Sequence, residues 1–159
     1  MMKFNICCSR VNILMGMMIG MGAIAAGTLA PTAVAQSNQQ TLQGRGVAQG
    51  SAFTMGRNAN VSLTINRDNF TFELSEPPGA RARVQYRGNV VRRNSTGNNP
   101  NSFVLDGRVR TFDSSASDRI LNNTTGTCRI EMFDARVVSS TCRAASADSN
   151  TQFLGLEQF

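Results

Sequence analysis

Strict alternation of apolar and polar residues constrains this chain more than any other feature. Val61, Leu63 and Ile65 alternate with Ser62, Thr64 and Asn66; Phe70, Phe72 and Leu74 alternate with Thr71, Glu73 and Ser75; Ala82, Val84 and Tyr86 alternate with Arg83, Gln85 and Arg87. A period of two sends one set to each face of a pleated strand, so these runs predict half-buried strands. Weaker runs mark a glycine-rich strand or pair over 42–55, an extension past Gly88, and strands over 102–112, 126–133, 137–142 and 153–159. Beyond residue 35 no 3.6-residue apolar period is sustained. The fold class is therefore all-β: a single small antiparallel β-sandwich or β-barrel of about seven to eight short strands.

The alternation also predicts register. A turn at Asn66-Arg67-Asp68-Asn69 sets Ile65 opposite Phe70, Leu63 opposite Phe72 and Val61 opposite Leu74, all apolar. A three-residue loop at Pro77-Pro78-Gly79 then sets Leu74 opposite Ala82, Phe72 opposite Val84 and Phe70 opposite Tyr86, and on the outer face Glu73 meets Arg83, an opposite-charge pair. Both turns place one apolar face on three strands, and a one-residue slip would expose it.

The N-terminus reads differently. Lys3 and Arg10 precede an uncharged, largely apolar stretch that ends in Pro31-Thr32-Ala33-Val34-Ala35, an A-x-A cleavage pattern. The expectation is a cleaved signal peptide over 1–35, a polar lead over 36–41 and one β-domain over 42–159. Localisation would be secreted or periplasmic, with no membrane span after cleavage. The signal style favours a bacterium. The expected mature chain carries 14 Arg, no Lys and 10 acids, a net charge of +4. Its 27 Leu, Ile, Val and Phe suffice for one small core.

The absence of His removes Ser–His and Cys–His nucleophiles and imidazole metal sites; the absence of Lys from the mature part removes Ser–Lys chemistry. No motif points to a cofactor. Gly44-x-Gly46-x-x-x-Gly50 has the wrong spacing for a phosphate loop and reads as strand bends. Asp106, Asp113, Asp118 and Glu131 carry oxygen ligands but no calcium-loop spacing, so no metal site is assigned. Cys128 and Cys142 are the only cysteines after residue 35 and predict a disulfide, with Ile130 facing Ser140, Met132 facing Val138 and a loop of Asp134-Ala135-Arg136. The terminal Phe159 raises a membrane barrel, but one Tyr and no Trp cannot build aromatic girdles.

Pairing 82–92 with 103–113, Val90 opposite Leu105, sets Tyr86 opposite Val109, Gly88 opposite Gly107, Arg87 opposite Arg108 and Gln85 opposite Arg110. Arg81, Arg83, Arg87, Arg108 and Arg110 then share one outer face, the candidate binding residues. Guanidinium forks suit an acidic polysaccharide, lipid headgroup or acidic protein; nucleic acid is not expected of an exported chain. An Asp106-Gly107 hairpin would scatter the cluster. The favoured function is a non-catalytic exported binding module. The alternatives are a small barrel carrying an apolar ligand on Phe70, Phe72 and Tyr86, and a small secreted enzyme without histidine chemistry.

Overall fold

The computed structural model describes residues 39–77, 82–117 and 119–156. The expected export segment lies outside them, as does Arg81. Eight antiparallel strands run β1 Gln39–Gly50, β2 Phe53–Asn66, β3 Asn69–Ser75, β4 Arg83–Ser95, β5 Phe103–Ser114, β6 Arg119–Phe133, β7 Arg136–Ala144 and β8 Thr151–Gly155. Each pairs with the next, and β8 returns to β1, so the sheet closes into a barrel rather than a sandwich. β1 starts inside the stretch expected to be a polar lead, and β8 starts at Thr151, two residues before the expected closing strand.

The first hairpin has the register its alternation predicts: Ile65 pairs with Phe70, Leu63 with Phe72 and Val61 with Leu74. The second is displaced by two residues. Leu74 pairs with Val84, Phe72 with Tyr86 and Phe70 with Gly88. Pro77 and Pro78 have no N–H to continue a ladder, so the strands part earlier than a three-residue loop requires. The Glu76 amide donates to the Ala82 carbonyl at 3.0 Å, and the Ala82 amide donates to the Glu76 carboxylate at 3.3 Å. An even displacement preserves the face, so the same apolar residues still point inward.

Phe53, Phe70, Phe72, Tyr86, Phe103, Phe112 and Phe153 are buried in one apolar cluster to which all eight strands contribute. Polar and charged side chains take most outward positions, with Val47, Met55, Val91, Ile120, Phe133, Leu154 and Leu156 the exposed large apolar exceptions among the described residues. The disulfide joins Cys128 and Cys142, directly opposite on β6 and β7, with Ile130 facing Ser140 as expected. Met132, however, faces Val137, and Phe133 faces Arg136. The turn is therefore two residues, Asp134 and Ala135, both with positive φ (47° and 61°), and a bulge at Val138 absorbs the extra residue.

The seam where the barrel closes depends on glycine. Gly46 on β1 pairs with Gly155 on β8, and a Cβ on Gly46 would overlap the backbone carbonyl of Leu154. Gly44 lies against Val137, beside the single bridge between Gln43 and Arg136 that joins β1 to β7 past the end of β8. The Gly44–Gly46–Gly50 run is thus a closure device, not a ligand loop.

Before β8 the chain makes a short 3₁₀ turn, Ala147–Ser149. The Tyr86 hydroxyl donates to the Ser149 carbonyl at 2.5 Å and lies 2.7 Å from Thr151 Oγ1. Burial pushes this phenol well above its ordinary value, and the Thr151 contact offsets part of that rise. A raised folded-state pKa contributes stability that is complete below the unfolded value, roughly 10, and is lost as pH climbs toward the folded value. Tyr86 is the only tyrosine and there is no tryptophan. Phenolate absorbance should therefore rise only above pH 10 and together with loss of β-structure by circular dichroism. A reversible titration at the ordinary phenol pKa with the barrel intact would contradict this burial.

Candidate functional site

The expected arginine face is present in part and differently arranged. Arg87 faces Thr111 rather than Arg108; Arg108 faces Asn89; Gln85 faces Asp113 rather than Arg110. Inside, Tyr86 faces Phe112, Gly88 faces Val109 and Val90 faces Gly107. The β4–β5 ladder is displaced from the expected register by two residues between Gly88 and Val90 and by three on either side, with Arg110 and Val91 bulging without a partner at the two junctions. The displacement separates Arg87 from Arg108, a like-charge pair whose direct juxtaposition would be unfavourable. Residues 106 and 107 lie within β5, so the Asp106-Gly107 turn does not form.

Arg83 is neutralised. Its guanidinium lies 3.2 Å from Glu73 and 3.5 Å from Asp113, and the hydrogen bond to Glu73 raises its pKa above the ordinary arginine value. Arg92 and Arg129 share Asp106 at 3.2 and 3.4 Å, and Arg57 pairs with Glu76 at 3.0 Å. Arg87, Arg108, Arg110 and Arg143 make no salt bridge with a described residue, and all four are exposed.

Arg143 is the member the sequence reading missed. Its signal was available: Cys142 must point inward to reach Cys128, so Arg143 must point outward. Register sets Asn69, Asn89, Arg108, Thr127 and Arg143 in one row across five adjacent strands, β3 to β7. Neighbouring members stand about 4.8 Å apart, the spacing of paired strands. Asn89 Nδ2 donates to Asn69 Oδ1 at 3.0 Å, and Arg143 Nε donates to Thr127 Oγ1 at 3.3 Å.

Arg110 occupies an unusual place. It has no register partner in β4, and in β6 the ladder skips from Asn122 to Gly126 around it. Gly88 and Gly126 face Val109 from either side, and a Cβ on either would overlap a carbonyl of the adjoining strand. Asn123, in the skipped segment, has a φ of 57°.

Elsewhere the acids considered as cation ligands are engaged with arginines: Asp106 with Arg92 and Arg129, Asp113 with Arg83 and Glu131 with Arg129. Asp118 lies outside the described residues. Phe72 and Tyr86 pack as tilted rings 6.4 Å between centroids, and Tyr86 and Phe112 likewise at 5.0 Å. With Phe70 they are core residues packed on one another. One concavity, about 1280 Å³, is an open surface groove bordered by Arg45, Glu73, Phe133, Asp134, Arg136 and Leu156, with both signs of charge. Comparison with protein-family models, curated proteins and solved structures gave no match, so the functional reading rests on the barrel's own geometry.

Proposed function

We propose that this barrel is an exported, non-catalytic module that binds an anionic polymer or surface through Arg87, Arg108, Arg110 and Arg143. One observation carries the reading: these four guanidiniums lie exposed on β4, β5 and β7 without a described acid partner, while their neighbours Arg83, Arg92 and Arg129 are paired. Arginine presents two parallel N–H groups to a carboxylate, sulfate or phosphate, and an unpaired guanidinium keeps that fork free. The net positive charge adds long-range attraction.

Binding to heparin across a salt series tests it. Each cation that displaces counterions from a polyanion steepens the dependence of affinity on salt. Arg87→Gln combined with Arg108→Gln should weaken binding at low salt and flatten the slope relative to wild type. An unchanged slope and affinity in the double variant, or no binding by wild type, would refute the reading.

A further inference from the structure

We propose that Arg110 anchors this face and that the ligand is an acidic polysaccharide, held at the bulge through one sulfate or carboxylate group. The proposal rests on the anion-binding reading above and assigns its centre and its partner. Within β5 the register continues on both sides of Arg110, through Val109 and Thr111, yet neither neighbouring strand pairs with Arg110 itself. A bulge re-aims the side chain it carries, and here both ladders are interrupted at one exposed arginine. Arg87 lies across the first interruption, opposite Thr111, and Arg108 is two residues away on the same strand. Their guanidiniums therefore border the bulge from two strands.

The surroundings choose the partner. Beside the three arginines stand the exposed amides of Asn89, Asn122 and Asn123 and the exposed hydroxyls of Thr125 and Thr127. Such groups donate and accept hydrogen bonds with sugar hydroxyls. The residues in register with Arg87 and Arg108 are Thr71, Thr111, Asn89 and Thr127, none of them apolar. A bilayer surface would reward apolar side chains at this position. The exposed apolar side chains nearest this face, Val91 on β4 and Ile120 on β6, lie apart from one another at its edges, and the apolar pair Val47 and Leu154 lies on β1 and β8. The outer face of a closed barrel is convex, which a flexible chain can follow and a flat surface cannot.

Dextran sulfate and carboxymethyl dextran share one backbone and differ in the anion; neutral dextran, polyglutamate and vesicles of phosphatidylcholine with phosphatidylglycerol complete the set. Wild type should bind the two acidic dextrans more tightly than polyglutamate or vesicles, and neutral dextran least. Arg110→Lys keeps the charge but loses the fork, so affinity should fall about tenfold, the effect of losing one charge-assisted hydrogen bond. Arg110→Gln should fall further, and Arg45→Gln, a charge control on β1, only slightly. Unchanged thermal midpoints establish that each variant keeps its fold; if Arg110→Gln loses its fold, Arg110→Lys alone decides. Wild-type binding with Arg110→Lys unaffected would overturn the anchor while leaving the anion-binding reading intact. Preference for vesicles or polyglutamate would overturn the polysaccharide assignment. Failure of wild type on every polyanion would remove the anion-binding reading itself.

Discussion

Gly46→Val should destabilise the barrel by about 3 kcal/mol or more, the upper end of what overpacking costs. The new side chain would begin inside the carbonyl of Leu154, on a strand held to β1 by only five register pairs. A backbone carbonyl cannot rotate out of the way as a side chain can, so β8 would have to leave β1, opening the seam. Gly97 is the contrast. It lies in the β4–β5 loop with a φ of 71° and no atom near its absent Cβ. Gly97→Ala should therefore cost only about 1 kcal/mol, the cost of a left-handed conformation. Urea midpoints of the two variants measure the difference. A Gly46→Val protein with a wild-type midpoint would mean that β1 and β8 do not pair in this register.

The second large effect concerns the disulfide. Cys128 and Cys142 are 14 residues apart in sequence, and opening that loop should cost about 3 kcal/mol on the chain-entropy account. Cys128→Ala with Cys142→Ala should lower the thermal midpoint by roughly 10 °C. The loss should concentrate at the seam, because β7 supports β8 and bridges to β1. Hydrogen exchange should accelerate in β7 and β8 before β2 and β3. Equal stability in the double variant would contradict this account.

How legible the fold was depended on parity. Where alternation ran unbroken, as from Val61 to Leu74, register followed from the residues alone. The second hairpin slipped by two because Pro77 and Pro78 limit the ladder more than Gly79 favours a tight loop. The arginine face was misread because the β4–β5 ladder is displaced by two to three residues and alternation breaks within it. Leu105, Gly107 and Val109 point inward, but the next inward residue is Phe112, three positions on. That extra step is the bulge at Arg110, and it is visible in the sequence once inward residues are counted along β5. Val90 and Val91 hide the second bulge the same way, since both are apolar and only one has a partner. The Glu73–Arg83 contact was legible from the hairpin, whereas the ion pairs of Arg92 and Arg129 with Asp106 were not, because they join strands whose register depends on those bulges. Nor was the role of Ser149 and Thr151, which follows from where Tyr86 ends in space.

The most direct test of the account is a map of the bound surface. Amide shifts of ¹⁵N-labelled protein titrated with a heparin oligosaccharide should move at Arg87, Gly88 and Asn89, at Arg108 through Thr111, at Asn122 through Thr127, and at Arg143. Shifts centred instead on Arg45, Phe133 and Leu156, or spread evenly over every exposed arginine, would contradict it.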